Sequence, residues 1–350
     1  MSQTDKNDIL EALRAVQDPD LGRDIVSLGF VKEVKLCGGV ASATIELTTP
    51  ACPVKDQLKH QAEQAILSLP GIDRAEVSMT AQVRSSFPGG GGMLPGVKNV
   101  VPVASGKGGV GKSTVSVNLA LALAQSGAQV GLLDADIYGP SIPTLLGKLE
   151  QPLAGADNLI VPAFKYGIKI LSMGFFLPED KAVIWRGPML DKTVTQFLAG
   201  VEWGELDYLI IDLPPGTGDV QLSLCQKAPL TGAVVVSTPQ DVALNVAKKA
   251  IFMFQQLNCP VLGMVENMTG EIFGRGGARK FGEDMGIAYL GEIPLTAKIR
   301  VHSDQGNPIV LAQPDSPEAK AFRNLTQNLA AQISIRNLAG ELKQDIKVSF

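Results

Sequence analysis

The segment Ser105-Gly-Lys-Gly-Gly-Val-Gly-Lys-Ser-Thr114 follows the apolar run Val100–Ala104 and opens a helix expected at about Lys112. Gly106, Gly111, Lys112 and Ser113 satisfy the spacing GxxxxGK with Ser after it. Glycines let successive backbone N–H groups turn inward around phosphate oxygens, and the helix N-terminus adds partial positive charge at the same point. Gly106, Lys107, Gly108, Gly109, Val110, Gly111, Lys112, Ser113 and Thr114 are therefore the expected cradle of a nucleoside triphosphate. Lys112 is expected to reach the β- and γ-phosphates, and the Ser113 hydroxyl to hold Mg²⁺.

Outward from this loop, apolar runs recur at Val130–Leu133, Ile168–Leu171, Tyr208–Ile211, Ala233–Val236 and Val261–Val265, separated by helix-length segments. That alternation predicts an α/β fold with a doubly wound, mainly parallel sheet, whose ligands gather at the C-terminal strand ends. Two runs end in carboxylates: Leu132-Leu-Asp-Ala-Asp136 supplies Asp134 and Asp136, and Leu209-Ile-Ile-Asp212 supplies Asp212. Asp212 is the expected partner of Mg²⁺, directly or through water. Asp134 is left as a supporting partner, and Gly216-Thr-Gly218 as a switch, because glycines absorb large backbone changes. Asn267, after the sixth run, offers an amide able both to donate to and accept from an adenine edge. A turn or cap role for Asn267 stays open beside it.

Residues before the loop read differently. Ile9, Leu10, Leu13 and Val16 predict a helix over 6–17, closed by Asp18-Pro19-Asp20. Strands follow at 31–36 and 40–48, a helix from about Pro53 to Ser68, and a strand from Arg74 to Met79. This small α+β unit is separated from the sheet by Ser85-Ser-Phe-Pro-Gly-Gly-Gly-Gly-Met-Leu-Pro-Gly96, which suits neither helix nor strand. The expected division is 1–84 for the small domain, 85–98 for the linker, 99–340 for the nucleotide-binding domain and 341–350 for a tail.

A formal charge of −4 without extended basic clusters argues against nucleic acid as a partner. No apolar run approaches the roughly 18–20 residues of a membrane span, so no membrane partner is expected. Four scattered cysteines, Cys37, Cys52, Cys225 and Cys259, form no CxxC pair, and the first residues lack an apolar leader, so a reducing cytoplasm is the expected address. Cys52 precedes Pro53 near the predicted helix start, where a helix dipole stabilises a thiolate; a small packed side chain is the other reading. Cys225 likewise reads as core packing or as a ligand.

Lys107 completes the pattern KGGVGK followed by Ser. It resembles the variant phosphate loop of the MinD, ParA and nitrogenase-iron-protein group, where the early lysine crosses a dimer interface to the partner's nucleotide. Together with Trp185-Arg-Gly-Pro-Met189, Asp207-Tyr-Leu-Ile-Ile-Asp-Leu-Pro-Pro-Gly-Thr-Gly-Asp219, Thr238-Pro-Gln-Asp241, Val265-Glu-Asn-Met268, Leu290-Gly-Glu-Ile-Pro294 and Asp315-Ser-Pro-Glu-Ala-Lys320, the chain resembles the Mrp/ApbC family of ATP-dependent iron–sulfur cluster carriers over residues 97–335. Asp18-Pro-Asp-Leu-Gly22 and Thr48-Thr-Pro-Ala-Cys-Pro53 resemble the small domain found in cluster-assembly proteins.

The resemblance implies a homodimer, slow switch-like hydrolysis, and catalytic roles for Lys107, Lys112 and Asp136, with Asp136 acting on the attacking water. It also implies an iron–sulfur cargo, expected as 4Fe–4S, and scaffold and apo-target proteins as partners. One departure stands out: family members carry CxxC just after the Glu-Asn-Met motif, whereas Glu266-Asn-Met-Thr-Gly-Glu-Ile-Phe-Gly-Arg-Gly-Gly277 has no cysteine. Cys52 and Cys225 are then the candidate cluster ligands, and the alternative function is a MinD/ParA-like regulatory ATPase without a cluster.

Overall fold

A computed structural model describes residues 4–87, 92–176 and 187–345. The chain divides into two compact units, one of residues 1–84 with 334–350, the other of residues 85–333.

In the first unit, helix α1 (Lys6–Leu13) starts at a reciprocal cap: Asp5 accepts from the N–H groups of Asn7 (2.7 Å) and Asp8 (3.1 Å), and Asp8 accepts from Asp5 (2.8 Å). The helix predicted over 6–17 stops at Leu13. Asp18 explains the stop: its carboxylate takes the N–H groups of Asp20 and Leu21 into a turn, and Pro19 biases it away from helical backbone. Gln17–Asp18 instead pairs antiparallel with Arg23–Asp24.

A three-stranded sheet follows, with β1 (Val31–Cys37), β2 (Val40–Leu47) and β3 (Arg74–Ala81) in that order. The central strand turns Ala41, Ala43, Ile45 and Leu47 into the core, the period-2 pattern of a sheet buried on one face. Helix α2 (Lys55–Leu67) meets them with Leu58, Ala62 and Ile66.

The second unit is built on eight strands: β4 (Val100–Ser105), β5 (Val130–Asp134), β6 (Ala163–Lys165), β7 (Ile168–Ser172), β8 (Tyr208–Asp212), β9 (Ala233–Ser237), β10 (Val261–Thr269) and β11 (Tyr289–Pro294). Their order is β6-β7-β5-β8-β4-β9-β10-β11, with β6 alone antiparallel to its neighbour. All six apolar runs of the sequence are strands here, and two edge strands, β6 and β11, join them. Strands β4, β5, β8 and β9 are buried at every position, as a sheet covered on both faces requires. Strand order reverses about β4, so the crevice of the sheet opens at its C-terminal end.

Helix α3 (Lys112–Gln125) fills the space beside that end, with Val115–Leu123 buried around its whole circumference. Helices α4 (Ile142–Leu146), α5 (Gly187–Ala199), α6 (Asp219–Lys227), α7 (Asp241–Gln256), α8 (Gly277–Met285), α9 (Ala297–Asp304), α10 (Ile309–Ala312) and α11 (Pro317–Asp345) complete the chain.

The glycine-rich linker is anchored on both sides of residues 88–91, which lie outside the described residues. Ser86 donates its N–H to the Lys98 carbonyl (3.0 Å), and Leu94 and Val97 enter the core of the second unit. The expected boundary at 340 also differs from the division observed. From Ser334 onward α11 belongs with the first unit, where Thr48 donates to the Ser334 hydroxyl (2.9 Å) and Asn337 to the Arg84 carbonyl (3.0 Å). Trp185, Arg186 and residues 346–350 of the expected tail lie outside the described residues.

Candidate functional site

The loop between β4 and α3 is shaped by two close approaches. Gly106 lies against the backbone of Val246 and Ala247 in α7, so near that a Cβ would overlap it. Gly111 caps α3 in the left-handed region, φ 81°, and a Cβ there would overlap the Asn267 amide. Asn267, at the end of β10, donates to the Val110 carbonyl at 2.8 Å. In this state its amide braces the phosphate loop. Beside it Glu266, wholly buried, accepts the N–H of Gly276 at 2.6 Å and that of Ala278, fixing the start of α8.

Helix α3 places Ser116 one turn beyond Lys112 and Ser113, because residues three and four apart stack on a helix. All three meet Asp212 at the end of β8. Lys112 Nζ lies 2.7 Å from Asp212 Oδ2, Ser113 Oγ donates to the same oxygen at 2.6 Å, and Ser116 Oγ donates to Asp212 Oδ1 at 2.6 Å. Lys112 is 6% exposed and Asp212 is wholly enclosed, so each neutralises the other where a lone charge would be costly. Asp136 Oδ2 faces the same ammonium at 3.8 Å. Burial raises the Asp136 carboxyl, against the pull of Lys112.

Asp134 is enclosed beside Asp212, its strand neighbour across β5 and β8. It accepts from the N–H of Asp136 (3.2 Å), the N–H of Ile142 (3.2 Å) and the Ser172 hydroxyl (2.8 Å). Burial raises its carboxyl well above the usual range, and the Asp212 charge adds to the rise. Gly216, φ 91°, donates to the Ser105 carbonyl at 2.9 Å, tying the glycine switch to the strand that enters the phosphate loop.

Ser113 and Asp212 pair a hydroxyl with a carboxylate oxygen at the site's centre, a hard-oxygen set that suits Mg²⁺. Ser113 and Asp212 would hold the ion, which would supply positive charge against the negative charge that develops on a transferring phosphoryl group. Lys112 and the loop N–H groups are the groups that could hold the phosphates. Lys107 is half-buried, and among the described residues no carboxylate pairs with its ammonium.

The structure brings Lys112, Ser113, Asp136 and Asp212 around one point. Ser116, legible as one helical turn beyond Lys112, and Ser172, which only the sheet order brings beside Asp134, are not among the residues expected from the sequence. The cysteine expectations fare differently. Helix α2 begins at Lys55 with Val54 at its cap, so Cys52 stands two residues before the cap and Pro53 is not the first helical residue. Burial pushes the Cys52 thiol up to about 11, with Asp18 and Asp20 adding to the rise, so it is not the thiolate expected from a helix dipole. Cys225 is buried in the core of the second unit, its thiol pushed up to about 12 by burial. Its position fits the packing role. Cys52 and Cys225 belong to different units, and among the described residues no three His, Cys, Asp or Glu side chains group to hold a metal ion. The segment after Met268 closes instead into a small loop, with Gly270 and Gly274 exchanging backbone hydrogen bonds and Ile272 77% exposed.

A phosphate loop opening a buried helix at the switch point of a parallel sheet, with its lysine on a strand-end aspartate, defines a P-loop nucleoside triphosphatase. Residues 96–330 match the model of the NUBPL iron-transfer P-loop NTPases, within the ParA group, and residues 6–79 match that of iron–sulfur cluster assembly proteins. The chain belongs to this family of iron-transfer P-loop NTPases. It is 50% identical to the iron–sulfur cluster carrier protein of Deinococcus radiodurans, over 97% of this chain and 99% of the relative. It is 43% identical to the chloroplastic Fe–S cluster assembly factor HCF101 of Arabidopsis thaliana, over 93% of this chain and 63% of that protein. Among solved structures, the nucleotide-binding protein of Archaeoglobus fulgidus in complex with ADP superposes with a TM-score of 0.55 at 39% identity, covering 65% of this chain and 92% of that one. The cell-division ATPase MinD of Pyrococcus furiosus shares the fold, with a TM-score of 0.53 at 24% identity, over 66% of this chain and 98% of that one.

Proposed function

We propose that the protein is a homodimeric ATPase that binds iron–sulfur clusters, taken from a scaffold protein, and delivers them to apoproteins. ATP binding and slow hydrolysis switch it between conformations. The observation that carries this reading is the joining, in one chain, of a complete phosphate site to a unit matched to iron–sulfur cluster assembly. Lys112 and the loop from Gly106 to Thr114 hold the phosphates, Ser113 and Asp212 hold Mg²⁺, Asn267 meets the adenine, and Lys107 reaches the partner's nucleotide. Asp136 orients and deprotonates the attacking water; its raised carboxyl suits that role. The cytoplasm is the proposed compartment, in keeping with four cysteines that form no disulfide with one another.

The cluster is cargo, and Cys52 is its proposed ligand, one thiolate contributed by each of two chains. Iron would have to displace the thiol proton itself, as coordination does at metal sites. Anaerobic reconstitution with iron and sulfide, followed by transfer to an apo-ferredoxin with and without ATP, tests the reading. Bound iron that activates the acceptor is the expected result. A colourless protein that still hydrolyses ATP would establish the regulatory ATPase instead, the reading motivated by the missing cysteine pair after Met268.

A further inference from the structure

Asp134 is a buried carboxylate that forms no ion pair among the described residues. The nearby ammonium of Lys112 is committed to Asp212 at 2.7 Å and turned toward Asp136 at 3.8 Å. A strand so apolar, Val130-Gly-Leu-Leu, would be at least as stable with a hydrophobic side chain at its end, since buried ionic groups rarely repay their desolvation. Its contacts supply the reason for a carboxylate. Oδ1 accepts the N–H of Asp136, and Oδ2 accepts the N–H of Ile142, the first residue of α4. The loop that carries Asp136 is thus fastened at both ends to one side chain. Within it, Asp136 accepts from Gly139 N–H at 3.3 Å, and Tyr138 stands 71% exposed at the crest. Ser172, donating to Asp134 Oδ2, also accepts the N–H of Gly174 at 3.0 Å, which ties the turn after β7 to the same point.

We propose that Asp134 is a positioning residue for hydrolysis: with Ser172 it clamps the loop from Asp136 to Ile142 so that the Asp136 carboxylate faces the γ-phosphate position. Asp134's hydrogen bonds join the segment after β5, at both ends of the loop, to the end of β7. The inference rests on the reading of Asp136 as the hydrolytic carboxylate. Misplacement of a reacting group by about 1 Å costs on the order of a hundredfold in rate, whereas phosphate binding depends on the loop at 106–114, to which Asp134 makes no hydrogen bond among the described residues.

The test is single-turnover ATP hydrolysis and nucleotide affinity for Asp134→Asn, Ser172→Ala, Ser172→Thr and the double variant Asp134→Asn with Ser172→Ala. Asp134→Asn keeps the volume but exchanges an acceptor for a donor that faces N–H groups. It is expected to lower the hydrolysis rate about ten- to a hundredfold with nucleotide Kd within about twofold. Ser172→Ala is expected to lower the rate severalfold, Ser172→Thr to restore it by keeping the hydroxyl, and the double variant to lose less than the product of the single losses. Equal hydrolysis in Ser172→Ala and wild type overturns the proposal, even where Asp134→Asn fails to fold. So does a loss shared equally by affinity and rate. Full activity of Asp136→Asn would instead refute the underlying role of Asp136, while an inactive Asp136→Asn beside fully active Asp134→Asn and Ser172→Ala would refute the clamp alone.

Discussion

The phosphate crevice and the cysteines obey opposite rules of burial. In the crevice, Lys112, Ser113, Ser116 and Asp212 come from a helix and a strand 100 residues apart and close to within hydrogen-bond distance, because an enclosed charge left unpaired costs several kcal/mol. A thiol has no such need. Cys225 and Cys259 sit in one core as small hydrophobes, Cys52 half-enters another, and Cys37 lies exposed on a strand. A single chain therefore already brings together the lysine, hydroxyls and carboxylate of its phosphate crevice, whereas its four cysteines stay dispersed over two cores and a strand.

The largest break of that contrast comes from Lys112→Ala. It removes the cation at the centre of the crevice, and hydrolysis is expected to fall about a thousandfold or more, the scale on which a fixed positive charge acts on a transferring phosphoryl group. Iron content after anaerobic reconstitution is expected to stay at the wild-type level, because no cysteine lies in the crevice. Phosphate release and iron per chain, measured on the same preparation, check both halves. Loss of iron in this variant would show that the two sites are one.

Thiol reactivity sharpens the contrast next. Burial holds Cys52 protonated up to about pH 11 against an ordinary value of 9.0, so the folded protein favours the neutral thiol. The stability this contributes is complete below pH 9 and is lost as pH rises toward 11. Alkylation of Cys52 by iodoacetamide is expected to run about a hundredfold slower at pH 8 than for an unfolded thiol, and to rise about tenfold per pH unit until pH 11. Mass spectrometry of partly alkylated protein would show Cys37 modified first, Cys52 later, and Cys225 and Cys259 only on unfolding. Rapid labelling of Cys52 at neutral pH would restore the activated-thiolate reading.

The same contrast explains what could be read before any coordinates. The strands and Gly106–Thr114 were legible because they rest on local rules: apolar runs between helices, glycines where phosphate must approach, a lysine at a fixed offset. Asp136 and Asp212 were legible as strand-end carboxylates. Asp134's three donors were not, since Ser172 reaches it only through the non-sequential order β7-β5-β8. The apolar spacing to Val16 predicts a longer α1 than forms, because it continues past Leu13, where the local turn at Asp18 overrules it. The register of Pro53 misled for a similar reason: proline suits the first helical position, yet here the helix waits until Lys55, and the inferred environment of Cys52 moved with it.

Gly111→Ala probes how tightly the crevice is set. The added Cβ meets a left-handed backbone cost of about 1–2 kcal/mol and overlaps the Asn267 amide, which in turn holds Val110. A drop in Tm and weaker ADP binding are expected. Asn267→Ala in the same chain removes the overlap but not the backbone strain, so part of the lost stability should return, a coupling on the order of 1 kcal/mol. Strictly additive losses in thermal melts would mean that Asn267 does not brace the loop.

The smallest effect is expected from Cys225→Ala, and it decides what the cysteines are for. Cys225 is 7% exposed on α6, within the same core as Leu224 and Ala228, and its thiol is held up at about 12 by the surrounding apolar side chains. A side chain in that setting contributes by filling volume. Its truncation to alanine should cost about 1 kcal/mol in denaturant unfolding, typical of a small core deletion. Iron per chain and ATP hydrolysis should be unchanged, because a ligand role would require the thiolate to form in a medium that disfavours charge and to reach solvent through packed helices. Cys52→Ala, in contrast, should remove bound iron with little change in unfolding. The pair of variants therefore separates packing from ligation by crossing the two readouts. A chain that loses iron with Cys225→Ala and keeps it with Cys52→Ala would move the cargo from the small unit to the ATPase core, and hydrolysis could then act on it directly through α6.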